Sequence, residues 1–276
     1  MAVPRLPYRQ FGCNSERTLV YFHGAPGAAQ EAELLDTCAR AHGVRILAWE
    51  RSCVDSEVIG EDYYRRLAQE IVQHAHGKTV EILGFSLGAF VALQACRYMA
   101  EHVSMVHLVS AGAPLEAGDF LDAMAGQHVF RLARKFPFLF RLLSRWQGVL
   151  AQWAPDALFA LLFASARGAD LALTRDMAFR RIVKGAVRTC FVGNVPGYVR
   201  DVCAYVQPWN GSLSQMPFAV RIWHGSLDNW SPPAMAHALK AALPHCQPIE
   251  MLPGLSHYSS LQQAGDYICA SQSVSP

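Results

Sequence analysis

The amino-acid sequence predicts an α/β protein: a mostly parallel, twisted sheet of about seven or eight strands, helices on both faces, and an all-helical insertion late in the chain. Three observations lead there. Short apolar runs alternate with amphipathic segments along most of the 276 residues, the pattern of strand–helix–strand crossovers. The rhythm breaks once, from about residue 115 to 216, where no strand signal is clear and apolar residues recur at helical spacing. With 52% hydrophobic residues the chain can cover a buried sheet on both sides.

In chain order, strands are expected at 18–22, 44–48, 79–83, 104–109, 218–223 and 248–252, with room for one more before them, such as 8–11. Helices are expected near 30–41, 61–74, 86–100, 233–243 and 259–270. Residues 1–114 and 217–276 then form the sheet-bearing core and 115–216 the helical insertion. Within the insertion the aromatic and leucine residues from Phe130 to Leu150 make a broad apolar face. That face is expected to pack on the core and in part to line a pocket.

The stretch ILGFSLGAF at 82–90 places Ser86 between Gly84 and Gly88, after an apolar run and before helix formers. Gly and Ser are ordinary turn residues, so the pentapeptide gains meaning only from its context. Strand, G-x-S-x-G, helix is the arrangement that exposes a serine nucleophile on a sharp bend. Such a serine is pushed toward positive φ, and the flanking elements approach too closely for a side chain at Gly84 or Gly88. Its hydroxyl is a weak nucleophile until a base takes the proton and a carboxylate orients that base.

Asp228 in IWHGSLDNWSP and His257 in MLPGLSHYSS each follow a late strand, which puts them on the sheet edge where Ser86 emerges. Singly, Asp228 also reads as a turn or cap residue and His257 as a solvated loop residue. Their joint placement, in the order Ser, Asp, His, favours a catalytic triad. Acyl transfer also needs backbone N–H donors for the developing oxyanion. Leu87, after the serine, and Ala25, after His23 and Gly24 in YFHGAPG, are the candidates; Pro26 lacks an N–H and fixes the loop.

With HGAPG, GFSLG, HGSLD and LPGLSH in this order and spacing, residues 18–270 resemble the α/β-hydrolase superfamily, with a helical cap between the sixth and seventh strands of its sheet. The resemblance implies Ser86 as nucleophile, His257 as base, Asp228 as its orienting acid and Ala25 and Leu87 as oxyanion donors. His23, Gly24, Gly27, Gly84 and Gly88 would shape the two turns. It implies no particular substrate. Two departures stand out. WERSCVDS at 49–56 replaces a DRPGxGxS-like loop of many relatives, so that side of the pocket is not carried over. The short segment before residue 18 has room for one strand or two very short ones, so the sheet has either the usual eight strands or one fewer.

A net charge of +2 with no basic face argues against nucleic acid as a partner. Residues 1–12 lack the apolar core of a secretory signal, and the uncharged run 157–166 is too short to span a bilayer. Eight cysteines without metal-ligand spacing read as free buried thiols in a reducing cytoplasm. His74 and His76 read as a helix end rather than a metal fragment, so neither metal nor cofactor is expected. The segment holding Arg131, Arg134, Lys135, Arg141 and Arg145 admits a membrane-surface role, but a solvated helix face is the favoured reading.

A serine at position 86 excludes the epoxide and halide chemistry of aspartate nucleophiles. HGAPG is similar to a stretch of prolyl aminopeptidases, whose acidic caps hold an amine, yet residues 116–210 carry 12 Lys or Arg against 7 Asp or Glu. A neutral or anionic, largely apolar acyl substrate is expected instead. The leading reading is a cofactor-free serine hydrolase cleaving a carboxylic ester or related acyl compound. The alternatives are an acyltransferase or cofactor-free peroxidase using the same triad, a prolyl-aminopeptidase-like peptidase, and a non-catalytic ligand-binding protein. The oligomeric state is not set by the sequence.

Overall fold

The computed structural model describes residues 5–271; the ends of the expected core segments, 1–4 and 272–276, lie outside the described residues. Seven strands, β1 (Tyr8–Gly12), β2 (Thr18–Phe22), β3 (Arg45–Trp49), β4 (Val80–Phe85), β5 (Val103–Val109), β6 (Val220–Gly225) and β7 (Glu250–Leu252), form one sheet in the order β1-β3-β2-β4-β5-β6-β7. β1 is antiparallel to β3 and all other neighbours are parallel. The central strands are mostly apolar because helices cover both faces, and Ile82, Leu83 and Phe85 have no exposed surface.

Among the described residues three α-helices precede the insertion: α1 (Asp36–Ala41), α2 (Gly60–His74) and α3 (Gly88–Cys96). The helix expected at 30–41 is two pieces, a 3-10 helix over Ala29–Leu35 that runs into α1. α3 starts at Gly88 rather than residue 86, because Ser86 has φ +55° and cannot join a right-handed helix.

Between β5 and β6 the described residues contain no strand, only α4 (Gln127–Lys135), α5 (Pro137–Trp153), α6 (Pro155–Leu162), α7 (Asp170–Leu173), α8 (Met177–Phe191), α9 (Val195–Tyr205) and short 3-10 turns. The insertion thus follows the fifth strand, not the sixth, because among the described residues β1 alone precedes β2. α10 (Pro233–Ala242) and α11 (His257–Ala270) complete the fold. α11 begins two residues earlier than expected, where Ser256 and Ser259 each bond the other's backbone N–H.

One expectation holds only in part within the insertion: Phe130, Leu132 and Leu150 pack against the core, and Phe130, Leu143 and Trp146 line a cavity. α5 buries Phe140, Ser144, Gln147 and Ala151, whereas Phe138, Leu139, Leu142 and Trp146 of the expected core-facing surface are exposed. The buried face carries Ser144 and Gln147 and the more apolar face is exposed, so hydrophobic periodicity points to the wrong side of this helix. All eight cysteines are free, but Cys53 is exposed and only Cys96, Cys190, Cys246 and Cys269 are buried. Among the described residues no helix is long and apolar enough to cross a membrane.

Candidate active site

From β2 the chain winds to one side through β3, whereas β4 lies on the other side of β2. The C-terminal ends of β2 and β4 are therefore the switch point at which open α/β sheets bind ligands. The HGAPG segment follows β2 and Ser86 follows β4. Ser86 occupies the left-handed region, at a cost of about 1–3 kcal/mol for a residue with Cβ. Its N–H donates to Val109 O at 3.1 Å, and its carbonyl accepts from the N–H groups of Ala89 and Gly112 at 3.1 and 3.3 Å. A Cβ on Gly84 would lie 2.6 Å from Ala89 Cα, and one on Gly88 would lie 2.2 Å from Phe22 O. The bend closes only with glycine at both places.

His257 opens α11, and its Nδ1 faces Asp228 Oδ2 at 2.9 Å with both residues buried. The other carboxylate oxygen, Oδ1, accepts from the N–H groups of Trp230 and Ser231 at 2.9 and 3.0 Å. Asp228 is thus a turn-former and the partner of His257 at once. Burial disfavours both charges, but their attraction and hydrogen bond prevail: the His257 pKa is raised above the ordinary histidine value and that of Asp228 is lowered. Trp230 stacks on the imidazole at 5.3 Å between ring centres, and Phe85 packs against it at 4.8 Å. Ser110, itself at φ +47°, donates its hydroxyl to His257 O at 3.1 Å. Among the described residues Ser86 Oγ and His257 Nε2 share no hydrogen bond, a contact that commonly tightens only around substrate.

The Ala25 and Leu87 N–H groups have no backbone partner among the described residues, and both residues line a cavity with Ser86. The Ala25–Pro26 peptide is cis. Behind this loop lie buried charges that the sequence reading did not single out. Glu31 accepts from Gly24 N–H at 2.8 Å, Tyr21 Oη at 2.8 Å and Tyr258 Oη at 3.0 Å. It ties the HGAPG turn to β2 and to the neighbour of His257, and burial raises its pKa despite these donors.

Arg51, in the segment that departs from the family pattern, donates to His23 O at 2.7 Å and Gly24 O at 3.3 Å and pairs with Asp201 of α9 at 2.7 Å. Arg200 backs the pair, bonding Asp201 and Arg51 O and lying over the Tyr63 ring. Glu50 of the same segment accepts from Ala29 N–H at 3.2 Å. From the insertion, Asp170 accepts from the N–H groups of Tyr258 and Ser259 at 3.1 and 2.8 Å, fixing the first turn of α11. Nothing local marks these pairings in the sequence: Arg51 lies between Glu50 and Ser52, and Asp201 follows Arg200.

The cavity measures about 320 Å³ and lies between the sheet edge and the insertion, with Ser86, Phe130, Leu143, Leu162, Val202 and Trp230 in its wall. None of its lining residues is charged. The cations of the insertion lie elsewhere: Arg180 and Lys184 pair with Asp156 and Arg181 with Glu33, while Arg134, Lys135, Arg141 and Arg145 are exposed. Gln147 is the exception to an otherwise apolar middle wall; it is 7% exposed and its Oε1 has no hydrogen-bond partner.

A sheet of this order, with a serine elbow after its central strand and a carboxylate–histidine pair after its last two, defines a class, and the sequence agrees. A family model described as the alpha/beta hydrolase family matches residues 19–270, and the chain belongs to that family. No curated protein matches the sequence significantly. Among solved structures, it is similar to an esterase from Exiguobacterium antarcticum, with a TM-score of 0.66 at 16% identity over 96% of this chain and 95% of the other. It is also similar to a bromoperoxidase from Bacillus anthracis, with a TM-score of 0.65 at 14% identity over 94% and 91% of the two chains. A thermophilic esterase from Thermogutta terrifontis gives 0.62 at 13% identity over 96% and 90%. At such identities these likenesses establish the fold.

Proposed function

We propose that this protein is a cofactor-free serine hydrolase that cleaves neutral, largely apolar carboxylic esters. The observation that carries this reading is the juxtaposition at one switch point of a strained, cavity-facing Ser86, a buried His257–Asp228 pair and two N–H groups without backbone partners. Ser86 Oγ attacks the carbonyl carbon as its proton passes to His257 Nε2, and Asp228 stabilises the resulting imidazolium. The Ala25 and Leu87 N–H groups receive the oxyanion. His257 then returns the proton to the departing alcohol, and a water activated by the same imidazole cleaves the acyl-enzyme.

The uncharged cavity wall bears on the substrate. It offers no carboxylate to an N-terminal amine, which disfavours an aminopeptidase, and no cation to an anionic acyl group. The insertion acts in this reading as the cap that forms the acyl pocket. Names of solved relatives include esterases and a bromoperoxidase; the apolar pocket favours ester cleavage over the second. The test is labelling with a fluorophosphonate, read by intact mass. One adduct on the wild-type chain and none on Ser86→Ala is expected; labelling unchanged in Ser86→Ala would remove the nucleophile assignment and the proposal with it.

A further inference from the structure

One helix presents a surface that the pocket does not use. At 3.6 residues per turn, Phe138, Leu142, Trp146, Val149 and Trp153 of α5 fall within a sector about 80° wide. All are exposed, Phe138 to 68% and Trp153 to 81%. The same helix buries Phe140, Ser144, Gln147 and Ala151 on its opposite side. Phe136, just ahead of α5, is also exposed. A contiguous apolar stripe of this kind is unusual on a soluble surface and marks an interaction site.

Charge identifies what it meets. Between Asp122 and Asp156 the chain has no acidic residue and five Lys or Arg. Arg131 is paired with Asp122. Arg134, Lys135, Arg141 and Arg145 are exposed; Arg141 and Arg145 lie along one edge of the stripe, one turn apart, and Arg134 and Lys135 stand at its head. Exposed aromatics beside cations fit an anionic lipid interface, where rings enter the acyl boundary and cations stay with the headgroups. A second copy of the chain fits poorly, since a two-fold contact on this stripe would set these cations against their own copies.

We propose that the exposed face of α5, with Phe136, Phe138, Trp153, Arg141 and Arg145, docks the protein on anionic lipid membranes. Docking also brings the cavity to the lipid, because Trp146 belongs both to the stripe and to the cavity wall. This reverses the favoured sequence reading, in which the segment is an ordinary solvated face. The reversal rests on the exposure of the aromatic residues, which that reading had buried.

The experiment is sedimentation of the full chain with vesicles of phosphatidylcholine alone or mixed with phosphatidylglycerol, at low and high salt, together with tryptophan emission. The wild-type chain should bind the mixed vesicles with a blue shift, bind pure phosphatidylcholine weakly, and be released by salt. Phe138→Ser/Trp153→Ser and Arg141→Glu/Arg145→Glu should each weaken binding by about tenfold or more. Both should label with fluorophosphonate as the wild type does, since none of the four lines the cavity. No binding of the wild type to mixed vesicles overturns the proposal without reference to any variant. So does binding unchanged in both variants, or a dimer in analytical ultracentrifugation that Phe138→Ser/Trp153→Ser dissolves while lipid binding is absent. Binding is read apart from turnover, so it stands or falls separately from the hydrolase reading.

Discussion

Asp228 divides its two carboxylate oxygens between its own turn and the His257 ring, and that division makes its replacement by asparagine informative. The amide keeps the size and can still accept from Trp230 and Ser231, but its NH₂ faces Nδ1 and selects the wrong imidazole tautomer. Turnover of Asp228→Asn is expected to fall by about four orders of magnitude with little change in KM. The pH profile supplies a second reading. His257 must be neutral to accept the serine proton, so activity appears as pH rises through its pKa. Because Asp228 raises that pKa, the acid limb of kcat/KM should lie above the ordinary histidine value in the wild type. It should move to lower pH in Asp228→Asn, where the stabilising carboxylate is gone. A limb that stays in place would show that another carboxylate faces the ring.

At the scale of elements, the link between Arg51 after β3 and Asp201 of α9 joins the core to the insertion directly beneath the HGAPG turn. Both side chains are almost fully buried. Removing one partner leaves the other charge desolvated and unpaired, so Asp201→Ala should lose about 3–5 kcal/mol of unfolding free energy, measured in urea. The loss should exceed that from breaking an exposed pair such as Arg65–Glu61 several-fold. A difference too small to measure would mean that water reaches Arg51. This link also explains a segment the sequence left open. WERSCVDS lacks the turn residues of many relatives, yet supplies Glu50 and Arg51, which brace the segment after β2 through hydrogen bonds rather than through a glycine-rich bend.

For the molecule as a whole, substrate size is set where the insertion meets the sheet edge. The cavity of about 320 Å³ is apolar over most of its wall, and each methylene it buries contributes about 0.8 kcal/mol. Across nitrophenyl esters from acetate to decanoate, kcat/KM should rise a few-fold per carbon and then level once the cavity is filled. Val129, which lines it from α4, offers the check: Val129→Phe should bring the plateau to shorter chains. A flat series, or a plateau unmoved by the substitution, would place the acyl group elsewhere. Gln147, unpartnered in the wall, should make little difference to plain alkyl esters.

What the sequence determined by itself is mostly local or ordinal. The strand and helix alternation follows from hydrophobic period. The elbow follows from Gly84, Ser86 and Gly88, whose conformation neighbouring atoms enforce. Asp228 and His257 could be nominated because parallel strands bring the loops after them to one edge, whatever the intervening residues do. Boundaries were less legible: the 3-10 helix before α1 and the early start of α11 depend on hydrogen bonds that no periodicity encodes. Only the tertiary structure decided which face of α5 meets the core, because the buried face carries Ser144 and Gln147 while the more apolar one is exposed. Only it showed that a basic insertion encloses an uncharged cavity, since its cations either pair with carboxylates elsewhere, as Arg180, Arg181 and Lys184 do, or are exposed, as Arg141 and Arg145 are. And only it placed Glu31, Arg51 and Asp201 behind the HGAPG turn, for Arg51 and Asp201 lie 150 residues apart and meet solely because the sheet and the insertion fold against each other.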